Sequence, residues 1–380
     1  MNPGKKITVL HLRNRFAGDY PLINQVILGL NEGYKHIVCY LTDNGNKADS
    51  LLDLGYNVIW LPYAKKDLRH FRYGVVKELD RIVRDNDVDI IHAHRHKPTF
   101  YGLLAARKNR DIKLVSTIHG MNRTRTLARR IQNRILWPRA HAFICVSESV
   151  RQDVISTNPG LDPGRLRVLY NGIDLKPLAN VAKSKEEIRR EWGLPPDRWL
   201  WGTAGRLVPV KGHEVLLKAW AGGGLKERGG HLVIAGEGPL RTELERLSQD
   251  LGIDDNVTLP GKTANIPDFL NALDGFVMPS WKEGFGLALL EAMAAGLPIV
   301  ASETGGIPEI LSPLTENSHS YMVEPGQKED LAKAMNAVMS WSPEKYSQAV
   351  AEIKEKSSFF DARTMIAETD GLYKEIAGVN

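Results

Sequence analysis

Apolar residues along the chain fall into short continuous runs, separated by longer stretches in which apolar positions recur every three or four residues. In the first half the runs are KITVLHL, HIVCYLT, NVIWLP, VDIIHAH, KLVSTIHG, AFICVS and RLRVLYNG. Unbroken β-branched runs of this kind suit parallel strands covered on both faces, and the amphipathic stretches between them suit crossover helices. The stretch NGIDLKPLANVAKSKEEIRREWGLPPDRW then turns polar, helical and proline-rich, as a link between domains does. A second series follows: WLWGTAGRL, HLVIAGEG, NVTLPG, GFVMPS, PIVAS and SYMVEP. The pattern predicts an α/β protein of two Rossmann-like, doubly wound domains in tandem, 1–175 and 176–356, with a ligand cleft where they face each other. A segment of helical period, 357–380, follows. Periodicity leaves open whether it docks on its own domain or back on the first.

A chain of 380 residues suits two such domains, and 43% apolar with 25% charged residues excludes a disordered or fibrous protein. Cys39 and Cys145 sit inside apolar runs, where free thiols act as small core hydrophobes, which suits a reducing compartment. The N-terminal apolar run is too short for a secretory signal, and no run approaches the ~18 residues of a membrane span. A cytoplasmic protein is expected.

The net charge of +5 is unevenly distributed. NRTRTLARRIQNRILWPR holds Arg123, Arg125, Arg129, Arg130, Arg134 and Arg139 without one acidic residue. At helical spacing these arginines alternate with Leu127, Ile131, Ile135, Leu136 and Trp137. Such a helix fits either a solvated face or contact with an anionic surface, the inner membrane face or an anionic acceptor. No aromatic-rich signature accompanies it, so nucleic acid is not expected as a partner.

The stretch EGFGLALLEAMAAGLPIVAS, Glu283 to Ser302, carries the most chemistry. It joins a strand to a helix through Gly284-Phe285-Gly286. Glycines let backbone approach a ligand closely, and helix N-terminal amides favour phosphate, so Gly284 to Leu287 form an anion cradle. Glu291 lies one turn into the helix and leans back toward the cradle. Carboxylates repel phosphate but accept hydrogen bonds from sugar hydroxyls. Phosphates flanked by hydroxylated rings describe a nucleotide sugar. In GTAGRLVPVKGHEV, Arg206 and Lys211 follow a strand and can neutralise a diphosphate. The plainer readings are a surface carboxylate for Glu291, a dipole-complementing charge for Glu283 and ordinary loop charge for Arg206 and Lys211. For Glu291 the apolar neighbours Leu289, Leu290, Ala292 and Met293 leave little polar face to support it.

AGRLVPVKG, VIAGEGP, PSWKEGFGLALLEAMAAGLPIVAS and GGIPEI together resemble the nucleotide-sugar domain of the retaining glycosyltransferases of family 4, which have the GT-B fold. Glu283 and Glu291, with seven residues between them, match that family's E-x7-E motif. The resemblance implies that Arg206 and Lys211 bind the donor diphosphate and that Glu283 holds hydroxyls of the transferred sugar. It places the backbone of Gly284, Phe285 and Gly286 by sugar and phosphate, Glu291 on the ribose, Gly261-Lys262 by the base and Glu237-Gly238 near the cleft. It also makes His119, at the end of STIHG, a contributor to the reacting site.

In the first half IIHAHRHKP sets His92, His94 and His96 at alternate positions, a spacing a metal could use. No carboxylate or cysteine completes it, so His94, Arg95 and Lys97 are read as lining the acceptor side, and no metal or other cofactor is expected. The overlapping pairs Asp85/Asp87 and Asp87/Asp89 resemble the metal motif of the other major glycosyltransferase fold, but they precede a strand and read as a solvated turn. Where the family often has a Gly-Gly loop, this chain has LRNRFAGDYPLIN, with Gly18 alone in place and Asp19 and Tyr20 altering the acceptor side.

The expected function is metal-independent, retaining transfer of a sugar from a nucleotide diphosphate sugar, UDP-sugar favoured over GDP-sugar, to a saccharide or glycolipid in bacterial cell-envelope polysaccharide or lipopolysaccharide synthesis. The alternatives are a nucleotide-sugar epimerase of the same fold and a non-catalytic nucleotide-sugar-binding subunit.

Overall fold

A computed structural model describes the chain apart from residues 1–5, 17, 19, 44, 46, 110, 122–125, 264, 317, 318 and 380, with 108, 313, 315 and 316 described by main chain alone. Asp19, Arg123 and Arg125 therefore lie outside the described residues. The chain divides into two units, Met1–Gly172 with Ala362–Asn380, and Ile173–Asp361.

The first unit is built on seven strands: β1 (Ile7–Arg15), β2 (Tyr34–Thr42), β3 (Asn57–Trp60), β4 (Ile90–His94), β5 (Lys113–Ile118), β6 (Ala142–Cys145) and β7 (Leu166–Val168). They pair in parallel in the order β3-β2-β1-β4-β5-β6-β7. Every apolar run predicted as a strand in this half forms one, because a sheet covered on both faces needs side chains that are apolar without alternation. One face breaks that rule. His11 pairs with Val38 and His92, Arg13 with Tyr40, His36 with Val9, and His94 with Thr117. Alternation along each strand then brings His11, Arg13, His36, His92, His94 and Thr117 to the same side, and all six are buried. The helices Pro21–Gly29 and Ala362–Ala377, which pack on one another, cover this face.

The C-terminal helix is fixed to the first unit by polar contacts. The hydroxyl of Tyr34 donates to Asp370 at 2.6 Å, that of Tyr373 lies 2.5 Å from His92 Nδ1, and Arg167 pairs with Glu375 at 2.9 Å.

The second unit has six parallel strands, β8 (Trp199–Ala204), β9 (Gly230–Ala235), β10 (Val257–Gly261), β11 (Gly275–Met278), β12 (Ile299–Ser302) and β13 (Ser320–Val323), in the order β10-β9-β8-β11-β12-β13. Trp201, Trp220, Leu217, Ile234, Val277 and Met335 anchor one core. The polar segment read from the sequence as a link is part of this unit. Its helix Lys185–Glu191 carries a capping box of Ser184 and Glu187. Arg189, 5% exposed, bonds Asp274 at 2.6 Å and donates to the carbonyls of Ala272 and Pro196. Residues 173–175 and 357–361 also belong here, since Ile173 N donates to Phe360 O and Ile173 bridges to Asp361. In each sheet the strand order reverses once, between β1 and β4 and between β8 and β11. Open α/β sheets bind ligands beside the carboxyl ends of such strands.

Candidate active site

In the second unit the loops after β8, β9 and β10 are laced together by main-chain bonds. Gly205 N donates to Ala235 O at 2.9 Å, Leu207 N to Glu237 O at 3.0 Å, and Gly236 N to Gly261 O at 2.8 Å. The approach is so close that a Cβ on Gly236 would lie 1.8 Å from Gly205 O, and one on Gly238 would lie 2.3 Å from Leu207 O. Glycine is required at both. This packing leaves Arg206 exposed at the carboxyl end of β8, with no side-chain partner among the described residues. Glu237 pairs with Arg241 at 2.8 Å instead of standing free, Gly261 closes the same corner, and Lys262 is exposed.

The turn Pro209–Lys211 ends on Gly212, whose φ is +70° and whose Cβ would strike Pro279 O at 1.9 Å. Trp281 N donates to Val210 O at 2.9 Å. The turn is thereby pinned against the loop after β11, and Lys211 Nζ meets Glu283 Oε2 at 2.5 Å. From the other side, Gly305 and Gly306 of GGIPEI back the same loop. A Cβ on Gly305, at φ +59°, would fall 1.7 Å from Glu283 O. Thus Lys211 and Glu283, 72 residues apart, touch because three glycines let backbone pack on backbone around them.

Gly284 N donates to Glu283 Oε1 at 3.3 Å, and Gly286, with φ at +109°, heads the helix Leu287–Ala295. Phe285 is buried edge-on against Phe360, so it offers a ligand only its backbone. Leu287 and Ala288, the first two helical residues, lie on this turn, where helix amides lack intrahelical acceptors. Glu291 is partly buried among Leu289, Leu290, Ala292 and Met293, and burial raises its pKa to about 7. A carboxyl so placed, with no ion pair among the described residues, suits a partner from outside the chain.

In the first unit the sequence-predicted residues separate. His94 and His119 line a cavity of about 40 Å³ with His11, His92, Thr117 and Asn171, roofed by Ile23 and Met365. Burial lowers the pKa of His92 and His119 to about 3, with neighbouring His119 and Arg95 respectively adding to the effect. Arg95 instead is exposed at the end of β4 with φ at +78°, a left-handed conformation rare for a non-glycine residue and common at functional sites. It donates to the Tyr20 hydroxyl at 2.6 Å and lies over that ring. Gly18 is exposed with φ at +94°. Lys97, half-buried on the helix His96–Ala105, donates its ammonium to Leu68 O at 2.5 Å. His96 has left the strand and bonds Asn133 at 3.2 Å. Asp89 accepts from Thr8 N at 2.8 Å at the amino end of β4, and Asp87 is exposed in the turn.

His11, His36 and Arg13 were missed by motif reading. Their signal was present, as polar residues at alternate positions inside the apolar run ITVLHLR for His11 and Arg13 and as the polar start of HIVCYLT for His36, but alternation in one strand does not say which residues of other strands share its face.

Two family descriptions cover most of the chain: Glycosyltransferase Family 4 matches residues 30–177 and Glycosyl transferases group 1 matches 184–356. A D-inositol 3-phosphate glycosyltransferase of Mycolicibacterium smegmatis is 29% identical over 283 residues, 70% of this chain and 62% of the relative. An Escherichia coli protein named UDP-Gal:alpha-D-GlcNAc-diphosphoundecaprenol alpha-1,3-galactosyltransferase is 30% identical over 60% of this chain and 61% of its own length. The chain thus aligns with about three fifths of the length of these relatives. Among solved structures, Anabaena Alr3699/HepE in complex with UDP and glucose superposes with a TM-score of 0.82, covering 97% of this chain and 100% of that one at 21% identity. With two parallel-sheet Rossmann-like units and both family matches in order along it, the chain belongs to the family 4 glycosyltransferases of GT-B fold.

Proposed function

We propose that this chain is a retaining glycosyltransferase that moves a sugar from a nucleotide diphosphate sugar, with UDP favoured as the nucleotide, to a hydroxyl of a saccharide or glycolipid acceptor. The observation that carries the proposal is the Lys211–Glu283 contact at 2.5 Å, set on the glycine turn that heads the Leu287–Ala295 helix. One turn thus offers a cation and amides for phosphate beside a carboxylate for hydroxyls.

In the proposed reaction the donor enters, Lys211 exchanges Glu283 for the diphosphate, and Glu283 turns to hydroxyls of the transferred sugar. Arg206 joins Lys211 on the phosphates, and Glu291 accepts from the ribose. The bond from the anomeric carbon to the phosphate oxygen breaks first, its electron pair leaving with the diphosphate, through an oxocarbenium-like state. The acceptor oxygen bonds to that carbon on the face the diphosphate left, and its proton passes to the departing phosphate. Cations and oriented amides stabilise the charge that develops on the leaving group. Two side-chain cations serve that charge, so the transfer is proposed to need no divalent ion. His119 is proposed for the reacting site, and Gly18, His94 and Arg95 for the acceptor side. UDP in the Anabaena complex and the lipid-linked acceptor named for the Escherichia coli relative support a UDP-sugar and a cell-envelope glycolipid.

The helix Leu127–Leu136 supports a membrane-facing acceptor. Leu136 and Trp137 are buried, but Leu127, Ile131 and Ile135 are 72, 53 and 63% exposed, one turn apart, beside exposed Arg129, Arg130 and Arg134. An apolar stripe flanked by arginines fits an anionic lipid surface. No helix among the described residues is long and apolar enough to cross a membrane.

A melting-temperature screen against UDP-, GDP- and ADP-sugars identifies the donor, since a ligand that binds only the folded form raises Tm. Turnover with and without acceptor then separates transfer from epimerisation, which consumes donor alone. Binding without consumption under any acceptor would sink the enzymatic reading.

A further inference from the structure

The histidine-bearing face of the first sheet has donors and acceptors that the chain itself leaves unmatched. Leu30 O can only accept, so His36 Nε2, 3.3 Å away, is the donor in that contact. In a neutral ring His36 Nδ1 is then a lone pair, and it accepts the Nε2–H of His11 at 3.0 Å. This chain of bonds fixes His11 as the tautomer whose Nδ1 is a bare lone pair, buried and with no partner among the described residues. Neither ring nitrogen of His94 is bonded. His92 is held by Tyr373 at Nδ1 and lies 2.7 Å from the Thr117 hydroxyl at Nε2.

We infer that the first unit binds one divalent transition-metal ion, of which zinc is the type, on His11, His92 and His94. Their ligand atoms lie within 4.8 Å of one another beside the 40 Å³ cavity. Three imidazoles favour zinc, cobalt, nickel or copper over magnesium or calcium, which take oxygen. Tetrahedral Zn–N bonds of ~2.0 Å set ligands about 3.4 Å apart, so the rings close by at most about 1.4 Å. His36 and Tyr373 are the outer partners that orient ligating imidazoles, and Thr117 is the group the ion displaces. A water in the cavity would donate to His11 and His94 alone, with His92 kept by Thr117, whereas an ion takes all three rings and leaves its fourth position open to the cavity. Arg13, two residues along β1, opposes the ion's charge. Its guanidinium bonds Tyr40 at 2.9 Å, and Tyr40 donates to Asp49 at 2.5 Å, which offsets that charge. The ion joins β1 to β4 where the strand order reverses, and all three of its ligands belong to the first unit.

The test uses the full chain, stripped by a chelator and titrated with Co²⁺, then challenged with Zn²⁺. One equivalent of Co²⁺ is expected, with the visible absorption of a tetrahedral nitrogen site, no thiolate charge-transfer band, and displacement by zinc. His11→Gln and His94→Gln should each weaken uptake at least 100-fold, Tyr373→Phe about 10–100-fold as outer-partner losses do, and His96→Gln not at all. Absence of stoichiometric uptake by the stripped parent chain overturns the inference whether or not the variants fold. Unchanged uptake by the folded His11→Gln variant does the same and assigns the cavity to water.

Discussion

Replacing Glu291 with Gln should make the ligand-free protein more stable while weakening its hold on the donor. Burial raises the Glu291 pKa from 4.5 to about 7. The folded state therefore keeps a proton that the unfolded state releases between those values. The stability associated with that proton is full below pH 4.5 and is lost as pH rises through 7. At 1.36 kcal/mol per pKa unit, the ionised carboxylate costs the fold about 3 kcal/mol at pH 8, and under ~1 kcal/mol at pH 5. Glutamine has nearly the same shape and no charge to bury, so Glu291→Gln should gain about those amounts at the two pH values. Urea melts followed by tryptophan fluorescence measure this, since six of the eight tryptophans lie in the second unit. With ribose bound, the sign reverses, because the charge-assisted bonds that Gln cannot replace are worth about 1.5–3 kcal/mol, or ten- to hundredfold in affinity. Parent affinity for the nucleotide should accordingly fall as pH drops below 7. A stability gain equal at pH 5 and pH 8, or a variant less stable at pH 8, would refute this account of Glu291.

Four further outcomes are expected. Glu283→Ala should lower sugar transfer at least 100-fold with nucleotide affinity nearly intact, whereas Lys211→Ala should weaken both; calorimetry with UDP beside a transfer assay distinguishes them. Gly305→Ala should act like a loss of Glu283, because its Cβ would lie 1.7 Å from Glu283 O and must displace the loop; urea melts should show the second unit still folded, and full activity would count against the loop packing. Replacing Leu127, Ile131 and Ile135 together by Ser should cut co-sedimentation with phosphatidylglycerol vesicles at least tenfold and leave neutral vesicles, which bind little in either case, unchanged. UDP affinity measured in excess EDTA should stay within twofold of its value without chelator if Arg206 and Lys211 serve the diphosphate.

Local pattern determined a great deal of this protein. Strands appear where apolar runs lack alternation, because strands covered on both faces have no polar side to show. EGFGLALLEAMAAGLP announced a glycine turn, a helix start and two carboxylates, because the φ of Gly286 and the helix that follows are local matters settled within a few residues. Tertiary structure decided which distant residues meet. Lys211 reaches Glu283 only because Gly212 admits Pro279 O and Gly305 admits Glu283 O, and no periodicity in either segment encodes the other. Lys97, legible as a cleft cation, donates to Leu68 O, since the helix it sits on turns it toward the short helix Asp67–Arg69, where Leu68 lies 29 residues earlier. The histidines give the plainest case. HAHRH suggested His96 as the third ring, yet the strand ends at His94, and the partner that joins His92 and His94 is His11, brought alongside by the pairing of β1 with β4. Sequence spacing fixes which residues share a face of one strand, but sheet register, set by the packing of the whole domain, fixes which strands lie side by side.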